Sequence, residues 1–255
     1  MRLRGFRVRG SKDIQDHDLE FKDSDGSPLN IVHLFGKNGS GKSYIAGAIA
    51  RAWSNSVLSG GSAELPYLAD MIRIDFEVGT EIVALHIRRG SLEKSSTLAK
   101  VADVSVGDKP HVRNGIVYYS AGRGVVTRST VRSGGMLSDS VANVFPPLYD
   151  FTMREIRDSV IIVDDWNLGL DTESAEGFYG KLTRNALSKN NQLILFSSNL
   201  PAKYIQERAC LKLSGRTDPI QRSQSHLSDV QSFDEAPNRV VIEVPHPQGV
   251  RFPAS

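Results

Sequence analysis

Apolar positions alternate with arginine at the start of the chain. Leu3, Phe6 and Val8 sit among Arg2, Arg4, Arg7 and Arg9, which predicts a strand with one basic face. Residues 18–21 predict a second short strand, and Asp23-Ser24-Asp25-Gly26-Ser27-Pro28 supplies turn residues before the next apolar run. The stretch Ile31–Phe35, apolar apart from His33, reads as a buried strand entering a glycine-rich turn. Ile45, Ile49 and Ala52 then recur at helical spacing within 43–53, and the small polar stretch 55–62 reads as a loop. Further on, 71–76 and 81–87 alternate around Val78-Gly79-Thr80, a hairpin signal. Residues 90–115 are polar and carry no clear period, and 115–119 predict another strand.

The second half of the chain predicts a helix over 137–144 ended by Pro146-Pro147, then the aliphatic strand Val160–Val163. A helix over 173–187 places Phe178, Leu182 and Ala186 on one face, and a strand at 193–196 follows. Pro201 opens a further helix at a position where its missing N–H costs nothing. Residues 214–238 have few apolar anchors and read as a loop, and 240–244 predict a last strand. Strands alternating with helices indicate an α/β fold, and no repeat or long heptad run is present.

Composition narrows the class. The 255 residues suit one large domain, or one with a modest insertion, and 40% hydrophobic against 24% charged side chains suffices for a core. Disorder throughout and a collagen-like fold are excluded. Thirty-one basic against 29 acidic residues give a net charge of +2, too little to announce nucleic acid by itself. Cys210 is the single cysteine, which excludes a disulfide framework and a cysteine-rich zinc site and points to a reducing cytoplasm. No aliphatic run approaches the length of a membrane span, and the first residues lack the apolar stretch of a signal peptide.

The chemistry begins at Gly36-Lys37-Asn38-Gly39-Ser40-Gly41-Lys42-Ser43, a full match to G-x-x-x-x-G-K-[ST] between an apolar strand and an amphipathic helix. Glycines let the backbone curl so that successive N–H groups face phosphate oxygens, and the helix N-terminus adds partial positive charge. Gly36, Asn38, Gly39, Ser40 and Gly41 are therefore expected to cradle a nucleoside triphosphate. Lys42 would reach the β- and γ-phosphates and the Ser43 hydroxyl would ligate Mg²⁺. The strand Val160–Val163 ends in Asp164-Asp165. Alone, this is equally what a core strand meeting solvent looks like. Beside a phosphate loop, Asp164 is the expected holder of the Mg²⁺ shell and Asp165 the group that polarises the attacking water.

Three stretches carry a resemblance. Asp164-Asp165-Trp166-Asn167-Leu168-Gly169-Leu170-Asp171 resembles the D-E-P-T-S-A-L-D segment of ABC-type ATPases. Val131-Arg132-Ser133-Gly134-Gly135 resembles their L-S-G-G signature at the usual distance before the acidic strand, although a flexible turn before a helix would read the same way. Leu58-Ser59-Gly60-Gly61 fits the letters better but follows the phosphate-loop helix directly, and is rejected on position. Residues 10–21 align without gaps on the N-F-R-S-F-x-D-x-x-I-x-F opening of the SMC/RecF/OLD-like branch, an armless ATPase head. There Lys12 takes the place of an arginine that approaches the nucleotide phosphates; a solvated strand-end lysine is the equal alternative. The resemblance covers roughly 1–53 and 130–200.

It implies an α/β P-loop NTPase with an ABC-ATPase-like mixed-sheet core and a small antiparallel β lobe. Residues 1–213 would form the ATPase head, with the lobe at about 66–132 inserted between the phosphate-loop helix and the signature, and 214–255 a partly flexible C-terminal extension. It also implies that ATP and Mg²⁺ are bound between two subunits. Ser133, Gly134, Gly135 and Asp171 would act in trans on the nucleotide held by Lys42 of a partner, in a homodimer or with a related subunit.

Three departures bear on rate. The usual catalytic glutamate is Asp165, one methylene shorter; the usual switch histidine is Asn199, which bonds phosphate but carries no proton charge; and no glutamine lies between Gln15 and Gln192. The expectation is an ATPase that binds ATP tightly, hydrolyses it slowly, and gates or clamps a separate effector protein or nucleic acid, in prokaryotic genome maintenance or anti-phage defence. Alternatives are the nucleotide-binding subunit of a membrane transporter, disfavoured by the N-terminal pattern and the missing glutamine, and a regulatory module that holds ATP without hydrolysing it. Asn199 would also suit the sensor of an AAA+ ATPase, but the 122 positions from Lys42 to Asp164 exceed the spacing of that class. Arg2, Arg4, Arg7 and Arg9, with Arg123, Arg128 and Arg132, could line a nucleic-acid surface, although exposed arginines are more often simply solvated.

Overall fold

The computed structural model describes residues 1–58, 69–93, 96–105, 111–120, 124–125, 155–168, 170–198 and 209–213. Along the chain these form β1 (Arg2–Arg9), β2 (His17–Glu20), β3 (Ile31–Phe35), α1 (Lys42–Leu58), β4 (Met71–Val78), β5 (Glu81–Arg88) and β6 (Ser91–Glu93). Then come α2 (Ser96–Val101), β7 (Asp103–Ser105), β8 (His111–Arg113), β9 (Ile116–Ser120), β10 (Gly124–Val125), β11 (Glu155–Arg157) and β12 (Val160–Val163). The last are α3 (Thr172–Ser188), β13 (Gln192–Ser197) and β14 (Ala209–Lys212).

Three sheets result. A six-stranded sheet in the order β10-β9-β12-β13-β3-β14 is parallel except for β10. β12 and β13 are buried at every position, which is why their sequences are continuous aliphatic runs rather than alternating ones. A five-stranded antiparallel sheet runs β2-β1-β4-β5-β6, and a three-stranded sheet runs β11-β8-β7. This is an α/β P-loop NTPase fold with a mixed core sheet and an antiparallel lobe.

The antiparallel sheet is not confined to the stretch expected for it. The N-terminal strand β1 lies inside it, paired with β2 and β4, while β9 and β10, within 66–132, belong to the core sheet. Helix α1 packs between the layers with Ile45, Ala48, Ile49 and Ala52 fully buried. It also runs past 53, because Trp53 and Ser56 are buried and that contact overrides the weak helix preference of a small polar stretch. Gln192 ties the two sheets together. Its Oε1 accepts from Leu3 N at 2.6 Å, and its Nε2 donates to Leu3 O at 2.9 Å and Leu29 O at 2.8 Å.

Candidate nucleotide site

The parallel strands β3, β13 and β12 bring three chain segments to one end of the core sheet. After β3, the chain turns at Gly36, where a Cβ would lie 2.6 Å from both Leu213 O and Ser40 Oγ, so the loop closes on itself and on the end of β14. Gly41 has φ +92°, and a Cβ there would lie 2.6 Å from Ile14 Cγ2. That contact shows what the N-terminal motif does. Residues 10–14 lie against the phosphate loop, with Ile14 packed on Gly41 and Ser11 Oγ 3.5 Å from Tyr44 Oη. Lys12 is exposed on this segment.

Lys37, Asn38 and Gly39 form the exposed tip of the loop, whereas Ser40 and Lys42 are buried. Lys42 Nζ donates to Gly36 O at 2.8 Å and Lys37 O at 3.2 Å. The Ser40 hydroxyl is buried with no hydrogen-bond partner. Helix α1 opens without a carboxylate in its first turn, so no side-chain anion competes for its N-terminal N–H groups.

At the end of β12, Asp164 is buried, its backbone N–H donating to Tyr119 O at 2.8 Å. Burial raises its carboxyl above the ordinary value and Asp165 adds to the effect; hydrogen bonds from Ser43 and Tyr118 and the charge of Lys42 oppose it. Tyr118 Oη donates to Asp164 Oδ2 at 3.4 Å, while Oδ1 is buried without a hydrogen-bond partner. A buried carboxylate oxygen left open beside a serine hydroxyl is the donor set of a hard divalent cation, which keeps most of its other ligands as water and phosphate. Among the described residues no group of three His, Cys, Asp or Glu side chains offers a separate metal site.

Asp165 follows in the left-handed region, φ +45°. Trp166 enforces this turn: its side chain is fully buried, edge-on to His33 with ring centroids at 6.2 Å, and its backbone N–H donates to Phe196 O at 3.2 Å. The chain must therefore dive back into the core immediately after Asp165, leaving that carboxylate on the loop side. Ser198, just past β13, donates toward Asn38 Oδ1 at 3.1 Å and Asp165 Oδ1 at 3.5 Å.

The structure thus gathers Asn38, Ser40, Lys42, Ser43, Asp164 and Asp165 at one place, with Ser198 and Tyr118 beside them. Those two were not singled out by sequence, because a lone Ser or Tyr carries no spacing signal. Asp171 is exposed and caps α3, its Oδ1 accepting from Ser174 N at 2.8 Å and its Oδ2 from Ser174 Oγ at 2.9 Å. These bonds hold its carboxyl below the usual range. Ser133, Gly134, Gly135 and Asn199 lie outside the described residues, as do Arg123, Arg128, Arg132, the rejected Ser59-Gly60-Gly61, the helices expected at 137–144 and after Pro201, and the segment 214–255.

The four arginines of β1 meet two carboxylates, Glu77 and Asp18, and the neutral Asn190, so the basic face is tied up in part and keeps a positive excess. Arg4 pairs with Glu77 and donates to Gly26 O at 2.7 Å, Arg7 and Arg9 both reach Asp18, and Arg2 donates to Asn190 O at 2.7 Å and Asn190 Oδ1 at 2.5 Å. A phosphate backbone would have to compete with these partners. Among the described residues no helix is long and apolar enough to cross a membrane.

No protein-family model matches this chain, and no curated protein does. Among solved structures it is similar to an SMC head domain from Thermotoga maritima, at 18% identity over 78% of this chain and 90% of that one, with a TM-score of 0.43. It is similar as well to an SMC head bound to the C-winged helix domain of ScpA, at 12% identity over 85% and 95% and a TM-score of 0.45. A third is the ATP-binding subunit of an ABC transporter, at 12% identity over 88% and 93% and a TM-score of 0.38.

Proposed function

We propose that this chain is an ABC-type ATPase subunit that binds ATP with Mg²⁺, hydrolyses it slowly, and dimerises on it to gate or clamp a partner. The observation that carries the reading is the meeting of Lys42 and Ser43, at the start of α1, with the buried and half-satisfied carboxylate of Asp164. Lysine has three N–H donors and Lys42 uses two on loop carbonyls, so one remains for a phosphate oxygen. Ser43 and Asp164 Oδ1 would hold Mg²⁺, which neutralises phosphate charge when bound. Asp165 would accept the proton of the attacking water.

Asp165 is shorter than the glutamate usual at this place, which supports slow turnover, below about 1 s⁻¹ at the low end of enzyme rates. A module that holds ATP without hydrolysing it differs from this reading only in that number. The dimer would place Ser133, Gly134, Gly135 and Asp171 of one subunit across the nucleotide of the other, on the family resemblance. Genome maintenance or anti-phage defence, with a separate effector, is the setting that resemblance suggests. Lys12 would add charge at the mouth of the loop.

Calorimetric titration with ATP and Mg²⁺ tests the first step. Lys42→Ala should weaken binding by about ten- to a hundredfold, the worth of a charge-assisted phosphate contact. Equal affinity in both proteins would defeat the reading. Light scattering of Asp165→Ala with ATP and Mg²⁺ tests the second. A doubled mass is expected, and an unchanged monomer mass would remove the dimer.

A further inference from the structure

Asn38 follows β3 and Asp165 follows β12, and β13 separates those strands in the sheet, so a residue just past β13 stands between the two tips. Ser198 occupies that place, its hydroxyl 3.1 Å from Asn38 Oδ1 and 3.5 Å from Asp165 Oδ1. We propose that Ser198 is a positioning residue for hydrolysis, coupling the phosphate loop through Asn38 to the water-activating carboxylate of Asp165. The proposal rests on the ATPase reading above.

A serine hydroxyl has one proton and cannot donate to both acceptors at once. At 3.1 Å it serves Asn38, and at 3.5 Å it stands at the limit for Asp165. A phosphate oxygen arriving at the loop competes for the Asn38 amide. When that amide turns to the phosphate, the Ser198 proton takes Asp165 Oδ1 as its acceptor. Oδ2 is then directed at the water. Water oxygen bonds to the γ-phosphorus while the bond to the β,γ-bridging oxygen breaks, the water proton passing to Asp165 Oδ2 and ADP leaving with the bridging electron pair. The device answers the missing methylene, since a carboxylate with short reach depends more on having its direction fixed.

The backbone supports the same coupling. Asp165 holds a left-handed φ that non-glycine residues adopt at a cost, and such strain persists where surrounding structure over-determines it. Here the surrounding structure is β13 itself, because Phe196 O takes the N–H of Trp166 two residues before Ser198. The main chain next to Asp165 and the side chain of Asp165 are thus both referred to the end of one strand.

The test uses the full chain with Ser198→Ala, Ser198→Thr, Asp165→Ala and the double variant Ser198→Ala/Asp165→Ala, reading ATP affinity by titration and hydrolysis by single turnover. Ser198→Ala should bind ATP within about threefold of wild type, which also shows that it is folded, and hydrolyse it at least about tenfold more slowly. Ser198→Thr keeps the hydroxyl and should return to within about threefold, and the double variant should fall no lower than Asp165→Ala. Turnover of Ser198→Ala within about twofold of wild type, loss of affinity in step with rate, no rescue by threonine, or further loss in the double variant would each overturn the proposal. Wild type that binds ATP and never hydrolyses it overturns the positioning role alone. Wild type that fails to bind ATP removes the ATPase reading and the proposal with it.

Discussion

Gly41→Ala tests whether the N-terminal segment really braces the phosphate loop. Alanine would have to adopt φ +92°, beyond the ordinary left-handed well, at about 1–2 kcal/mol. Its Cβ would also meet Ile14 Cγ2 at 2.6 Å and Ile14 Cβ at 3.1 Å, and Ile14, buried at 4% exposure, has little room to retreat. Overpacking of this kind costs about 1–3 kcal/mol. Restricting the unfolded chain returns about 0.4–1 kcal/mol. The net is near 3 kcal/mol destabilising, or roughly 6–12 °C in Tm for a chain of this size. Urea denaturation followed by tryptophan fluorescence is the assay, because both tryptophans, Trp53 and Trp166, are buried and the second adjoins the site. Ile14→Ala alone should cost about 2–5 kcal/mol through the cavity it leaves. In the double variant the new methyl enters that cavity, so the combined loss should fall short of additivity by about 1–3 kcal/mol. Additivity to within about 0.5 kcal/mol, or a single Gly41→Ala loss below about 1 kcal/mol, would refute the contact between residues 10–14 and the loop.

Asp164→Asn should stabilise the protein without nucleotide at neutral pH and abolish the extra stability that ATP gains from Mg²⁺, as read by urea midpoints with and without each ligand. The pH dependence has a definite sign: a carboxyl raised above its ordinary 3.8 favours the protonated native state, so its contribution is full below that value and is lost as pH rises through the folded pKa. Midpoints of wild type without nucleotide should carry that falling limb, and Asp164→Asn should lack it. Gln192→Leu should cost about 2–4 kcal/mol, because it leaves the backbone groups of Leu3 and Leu29 without their side-chain partner; calorimetric Tm checks it, and a loss under about 1 kcal/mol would deny that the two sheets are stapled there.

Which features were legible depends on how local their causes are. β12 and β13 are buried on both faces, so their composition alone marks them, and α3 carries its period in Phe178, Leu182 and Ala186. The phosphate loop is legible because its backbone path demands glycine where Gly36 and Gly41 stand. β14 was missed: four residues with no alternation are a strand only because β3 supplies the partner. The partners of the arginines on β1 were not legible for a related reason. Whether Arg4 meets Glu77 and Arg7 meets Asp18 depends on registers with β4 and β2 that pair residues far apart in sequence. Ser198, Tyr118 and Gln192 act through neighbours on other strands, so no window of sequence contains their reason.

Several unfavourable choices lie where β3 and β12 end, although buried polar atoms without partners also occur elsewhere in the described core, as at Trp53 Nε1, Ser56 Oγ and Thr183 Oγ1. Asp164 Oδ1 and Ser40 Oγ are buried without partners, and Asp165 sits in a left-handed conformation, while the strands behind them are aliphatic and fully buried. A carboxylate held above its ordinary pKa by burial works against folding at neutral pH, so the arrangement is explained by what a ligand adds rather than by stability. Phosphate oxygens and a divalent cation are the groups that would meet these unsatisfied atoms. Binding confined to the folded state then stabilises by about 2.7 kcal/mol at a hundred times Kd, enough to offset a penalty of the size expected for one unpartnered buried polar group.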